Sequence, residues 1–242
     1  MAGWSAKLSL VVLVFGFASG SVAADEVCQH DCRLLEFGGH RVMWAQSAAG
    51  HPLHLTVAFI VHGSAAIGNT CGSIRRPSFG NAKRPITDAD FTAAVSRAMS
   101  RWEAAANIRF ELISDVATAD VVIGAQLAPR GIAFVDLQTS FDDVQERHQI
   151  KRAAICLNDQ VRWKIGLDTD PTTFDVERVV LHEIGHVLGL DHPSSRGHIM
   201  AFRYSEALAE LTAGDIKGAR HLYGAPPVTR RRESIAGKSG LN

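Results

Sequence analysis

Residues 182–192, His-Glu-Ile-Gly-His-Val-Leu-Gly-Leu-Asp-His, restrict what this chain can fold into more than any other stretch. On a helix, His182 and His186 stand four residues apart, so both imidazoles leave one face and can grip one ion. Glu183 sets a carboxylate beside that ion without taking a ligand position, where it can accept a proton from attacking water. Gly189 can take the left-handed conformation that ends a helix, and the chain then folds back to deliver His192 as a third ligand. Three protein nitrogens leave one position open on a tetrahedral zinc, the arrangement of a catalytic site and not of a closed structural one. The bland alternative is an amphipathic core helix with two satisfied histidines. It gives no reason for Glu183, Gly189 and His192 to occur together.

The N-terminus reads as an address. Lys7 precedes an apolar stretch from Leu8 to Ala18, and small residues follow from Ser19 to Ala24. That order predicts a secretory signal peptide over residues 1–24, cleaved after Ala23 or Ala24. About eleven apolar residues are too few to span a bilayer. The expectation is an exported chain, secreted or periplasmic, soluble and monomeric, with no stable membrane insertion. Its 242 residues suit one domain of roughly 170–200 residues with processed or flexible ends. Formal net charge is zero, which leaves no electrostatic footprint for nucleic acid. Arg230-Arg231-Arg232 lies in a tail, residues 225–242, that reads as solvated and flexible.

Four cysteines, Cys28, Cys32, Cys71 and Cys156, suggest two disulfides in an exported chain, and four cysteines allow three pairings. Cys28 and Cys32 are close enough for a small local loop, which would leave Cys71 with Cys156 as a long-range staple. A CxxxC zinc site would lack a second ligand pair nearby.

Along the chain, residues 25–52 read as an irregular N-terminal segment, with Gly38-Gly39 and His51-Pro52 as breakers. His54 to Val61 is β-branched and apolar and reads as a central strand. Residues 63–86 read as a long loop. A helix capped by Thr87 or Asp88 follows, its core stripe Phe91, Val95, Ala98, Met99 and Trp102. Further strands are predicted at 108–113, 119–124, 131–137 and 153–157, then a helix from Val176 to Leu188 and a last one from about Thr212 to Leu222. The fold class is α/β (α+β), a twisted mixed sheet of five strands with its helices packed on one face.

The motif 182–192, followed by Met200 in His-Ile-Met-Ala-Phe202, resembles the metzincin metalloproteases and within them the matrixins. Three features carry the resemblance: the short connection from His192 to Met200, Tyr204 four residues later, and the closing segment Leu211 to Gly224. It covers roughly residues 53–224. The resemblance implies a metzincin-like catalytic domain with a zinc-binding helix, a methionine turn and a C-terminal helix. It implies zinc on His182, His186 and His192, Glu183 as general base, Met200 as an apolar floor beneath the metal, and Asp215 tying the last helix to the methionine turn. An exposed N-terminal helix carboxylate is the other reading of Asp215. The substrate would lie extended along an edge strand, Gly131 to Leu137. Arg178, Phe202 and Tyr204 would wall the specificity pocket, with Arg178 shortening it on the side after the cut.

Some positions depart from that pattern. Pro193 resembles the serralysins, but the connection to Met200 is too short for them and Phe202 replaces their metal-binding tyrosine. Gly214 replaces the first of two aspartates with which matrixins hold a freshly cut N-terminus. Asn158 and Val161 stand where many matrixins have calcium-binding carboxylates, and Cys156 where a structural-zinc histidine would be. Asp142-Asp143 and Asp168/Asp170/Asp175 are compatible with calcium, though no matching motif position supports it, and solvated loop carboxylates are the simpler reading. The proline-arginine-cysteine-glycine switch is absent, faintly echoed by Cys71-Gly72, and about thirty residues between signal and catalytic domain leave no room for a full propeptide.

The functional expectation is a secreted zinc endopeptidase (EC 3.4.24 type) acting on protein or peptide substrates. The competing classes are a zinc-retaining binding or adhesion protein and a zinc amidase on a non-peptide or cell-wall substrate. The first leaves Glu183 and the open ligand position without a purpose, and the second lacks a sugar-binding aromatic cluster.

Overall fold

A computed structural model describes residues 8–9, 28, 30–46, 50–68, 70–79, 85–166, 170 and 172–227. The rest of the expected signal peptide, Asp168 and the basic run at 230–232 lie outside the described residues. In chain order the elements are β1 (Leu8–Ser9), β2 (Arg33–Leu34), β3 (Glu36–Phe37), β4 (His40–Trp44), β5 (Leu53–Phe59), β6 (Ser64–Ala66), β7 (Ser73–Arg75) and α1 (Asp88–Ala105). There follow β8 (Ile108–Leu112), β9 (Val121–Gln126), β10 (Ala133–Asp142), β11 (Arg147–Leu157), β12 (Arg162–Lys164), β13 (Thr173–Asp175), α2 (Val176–Val187), β14 (Leu190–Asp191) and α3 (Ala213–Tyr223).

One mixed sheet runs β1-β10-β11-β9-β5-β8. β11 lies antiparallel to β10 and parallel to β9, and β5 lies parallel to both β9 and β8. All five expected strands are present in it. Side chains alternate across the sheet with the strand period of two. Leu53, Leu55 and Val57 of β5 and Ala153, Ile155 and Leu157 of β11 join the core beneath the helices. Ala58, Ala154 and Cys156 face the opposite way into a smaller apolar layer with Ile67 and Ile74. The helices therefore cover one face.

The other face carries a hairpin. Residues 63–86 are not wholly loop: β6 and β7 form a hairpin, and β7 adds to β9 at Ala125 and Gln126. Few apolar residues mark it in sequence, but Ile67 and Ile74 are buried beneath it. Cys71–Cys156 pins it to β11, and Cys28–Cys32 closes the expected short loop.

Nor is the segment 25–52 irregular throughout its described residues. Gly38-Gly39, read as a breaker, is the two-residue turn of a hairpin, with Phe37 opposite His40 and φ of 59° and 83°. Both central residues at positive φ suit the twist of the flanking strands, and glycine alone takes them without strain. β4 then joins the sheet parallel to β11 at Val42, Met43 and Trp44.

Helix α1 begins where Thr87 caps it: the Asp90 amide donates to Thr87 Oγ (3.1 Å), and the Thr87 amide donates back to Asp90 (3.0 Å). Its stripe Phe91, Val95, Ala98, Met99 and Trp102 is buried as expected. Trp102 Nε1 donates to the Leu181 carbonyl at 2.9 Å, which fixes α1 against α2 one residue before His182. Among the described residues, no helix is long and apolar enough to cross a membrane.

Candidate metal centre

Helix α2 is positioned by Asp175, whose carboxylate accepts the Arg178 amide at 3.0 Å and the Gly166 amide at 2.6 Å. One member of the proposed acidic cluster thus serves as a helix cap. Asp170 accepts from Thr172 and pairs with Arg162, and Asp142 accepts the Val144 and Gln145 amides in the hairpin turn. These carboxylates have local structural partners.

From α2, His182 and His186 project to one point. The helix ends at Leu188, and Gly189 turns the chain at φ 91°. A Cβ at Gly189 would lie 2.3 Å from the Val42 carbonyl oxygen. Gly189→Ala should therefore lose about 3 kcal/mol of stability, combining left-handed strain with a clash against backbone that cannot swing aside; urea unfolding at matched metal loading checks it. After the turn, His192 returns to the histidine pair.

The three Nε2 atoms lie 3.1, 3.1 and 3.3 Å from one another. Tetrahedral coordination at ~2.0–2.1 Å would separate ligand nitrogens by ~3.3–3.4 Å. The donor set fits zinc. His182 Nδ1 lies 2.7 Å from the Ile199 carbonyl, and His186 Nδ1 lies 2.8 Å from that of Leu190. A carbonyl only accepts, so each Nδ1 carries the proton and each Nε2 keeps its lone pair for the common point. Among the described residues, these three are the one His/Cys/Asp/Glu group spaced to hold a metal ion.

Burial keeps the imidazoles neutral. Desolvation, then the neighbouring histidine, lowers His182 and His186 to about 3 and His192 to about 4. Glu183 is pushed up to about 8 by desolvation. Its Oε2 is buried without a hydrogen-bond partner, the kind of orphan that a cleft ligand must satisfy. The shifts fix the sign of a pH effect. Three histidines with depressed values take stability away as pH falls from 6.5 toward 4, each by up to about 1.4 kcal/mol per pH unit. Glu183, with a raised value, takes it away as pH rises from 4.5 toward 8. The metal-free chain should therefore be most stable near pH 6.5, and a flat urea-midpoint profile from pH 4 to 8.5 would contradict this.

Met200 packs against helix α2 at Gly185, and the missing side chain there is what admits it. A Cβ there would meet Met200 Sδ at 2.1 Å and Trp102 Cζ2 at 3.2 Å. Sequence reasoning passed over Gly185, although a glycine inside a helix costs ~1 kcal/mol against alanine and calls for a reason. Asp215 is 1% exposed and is not a surface carboxylate. It accepts the Ile199 amide (3.0 Å), the Met200 amide (3.1 Å), and the amide and hydroxyl of its own N-cap Thr212 (both 2.8 Å).

A cleft of about 550 Å³ opens over the histidines, lined on one side by Arg130 to Val135 and on the other by 201–205. Among the described residues β10 has an outer partner strand only at Gln138 and Thr139, which leaves Ala133 to Leu137 as an edge beside the cleft. Phe202 is 67% exposed at the rim, edge-on to His192 with centroids 5.2 Å apart. Arg178 lines the cleft and does not swing out to solvent: its guanidinium pairs with Glu206 at 2.5 Å. Tyr204 accepts the Asp175 amide (3.0 Å) and donates to Glu206, which also meets Lys164 at 2.8 Å. Glu206 and Lys164 escaped the sequence reading, for isolated charges carry no periodic signal.

Residues 78–224 match the family model described as Matrixin, peptidase M10. Metalloendoproteinase 2-MMP of Arabidopsis thaliana is 30% identical over 156 residues, 60% of this chain and 40% of that protein. Metalloendoproteinase 1-MMP of the same plant is 29% identical over 154 residues, 60% and 41% respectively. Stromelysin-2 of Rattus norvegicus is 29% identical over 146 residues, covering 56% of this chain and 29% of that protein. The chain thus spans about two fifths of the length of the plant relatives it matches.

Proposed function

The chain belongs to the matrixin family, and from that membership we propose that it is an exported zinc endopeptidase hydrolysing peptide bonds in extended protein substrates. The observation that carries the reading is one constellation: three neutral imidazoles converging on a point, with the unpartnered carboxylate oxygen of Glu183 in the same cleft.

His182, His186 and His192 would hold the metal. When bound, zinc supplies Lewis acidity, polarising a carbonyl oxygen and making water nucleophilic near neutral pH. Glu183 takes the proton of the attacking water and hands it to the departing amine. Burial suits it to that exchange, since desolvation raises its proton affinity toward the working pH. The open edge of β10 offers main-chain groups to an extended peptide, which favours a polypeptide over a compact substrate. The order of charged, apolar and small residues at the N-terminus supports export.

Casein hydrolysis beside release of cell-wall fragments tests this reading. Cleavage of casein alone supports it; release of cell-wall fragments without casein cleavage would replace the endopeptidase with an amidase.

Arg178 narrows the pocket for the residue after the cut, held there by Glu206. Peptides with leucine at that position should be cut about tenfold better than those with a bulky aromatic, and equal rates would sink the idea. In Arg178→Ala the preference should reverse. Glu206 keeps Lys164 as a partner in that variant, so no carboxylate is stranded.

A further inference from the structure

The stretch before the first central strand lies outside the residues matched to the family, 78–224. It nonetheless grips the turn between the second and third histidines. Trp44 Nε1 donates to the Val187 carbonyl at 2.8 Å. The Leu35 amide donates to the Gly189 carbonyl at 2.8 Å, and Val42 lies against the bare Cα of that glycine. Leu34 pairs with Leu190 and Arg33 with Asp191 in a two-stranded antiparallel sheet, and Arg33 Nε meets the Asp191 carboxylate at 3.1 Å.

The gripped residues are those that aim the histidines. The Leu190 carbonyl orients His186 through Nδ1, and Asp191 Oδ1 accepts the His192 amide at 2.7 Å. Just ahead of Arg33, the Cys28–Cys32 disulfide closes a loop seated on α3, where a Cβ at Gly214 would lie 2.0 Å from the Asp31 carbonyl oxygen. The same loop receives Ser195, three residues past His192, whose hydroxyl donates to the His30 carbonyl at 2.7 Å.

We propose that residues 30–44 form a clamp on the metal centre, in which Arg33, Leu34 and Leu35, anchored by the Cys28–Cys32 disulfide, are positioning residues for His186 and His192. This rests on the reading of the three histidines as ligands. An outer shell of this kind acts on how tightly and in what geometry a metal is held, because it restricts the orientations open to the ligands.

The test uses the full secreted chain loaded with cobalt(II), whose visible absorption reports ligand geometry. Metal release to a chelator and the thermal midpoint are read alongside. Arg33 is two-thirds exposed, so Arg33→Ala leaves the fold intact. It should still bind one cobalt, release it about threefold faster with altered visible bands, and regain wild-type behaviour as Arg33→Lys. The double variant Cys28→Ser/Cys32→Ser should release metal about tenfold faster. If the double variant does not fold, the arginine series decides. Release rates and spectra equal to wild type in Arg33→Ala, or in a folded double variant, would overturn the clamp while leaving the metal centre standing. Failure of the wild type to bind stoichiometric metal would overturn both.

Discussion

Glu183→Gln is expected to lower kcat for casein or peptide hydrolysis by about 10²–10⁴-fold while leaving one zinc per chain. Glutamine keeps the shape of the side chain and removes its capacity to accept a proton. A second signature separates this from general damage. Burial raises Glu183 to about 8, so placing its carboxylate in the fold costs stability as pH rises above 4.5. A neutral amide carries no such cost. The variant should therefore unfold at the same or higher urea concentration than wild type at pH 8, both metal-free. Activity, zinc content and urea midpoint measured together check the prediction. An active variant would remove Glu183 from the mechanism, and an inactive one without zinc would assign it to metal retention.

Asp215→Ala should produce the largest loss of stability, about 4 kcal/mol. Alanine would strand the amides of Ile199, Met200 and Thr212, which the carboxylate now satisfies. Each buried donor left unpaired costs ~1–3 kcal/mol, partly relieved by rearrangement. The effect should reach the metal, since Ile199 also supplies the carbonyl that orients His182. A weakened turn should lower zinc affinity, and a drop in urea midpoint with zinc affinity unchanged would restrict Asp215 to the fold. Asp215→Asn retains one acceptor oxygen and should fall between the two.

Much of this architecture was legible because it is written in short-range patterns. The stripe of α1 repeats with the helical period, and the expected strands are short apolar runs or, at 108–113, an alternation of apolar and charged residues. The group His182, His186 and His192 was readable for the same reason. Two ligands one turn apart and a glycine that reverses the chain are local geometry, independent of what packs around them. The N-terminal hairpin was misread because Gly38-Gly39 signals a turn and a break alike, and only a partner strand tells them apart. The β6–β7 hairpin escaped because polar strands on one face of a sheet carry little alternation of their own.

Spacing by itself determined the three-histidine group, the carboxylate beside it and the turn that brings in the third histidine, since all three depend on bonds reaching no farther than ten residues. Tertiary structure decided the rest. It set which carbonyls hold His182 and His186 in one tautomer, that Met200 lies against Gly185, and that Arg178 is held by Glu206. It also brought residues 33–44 to the turn before His192. Each of these joins residues whose proximity arises only when the sheet and helices close around a shared core. Hydrogen bonding and burial are properties of that enclosure, and no local stretch of chain encodes them alone.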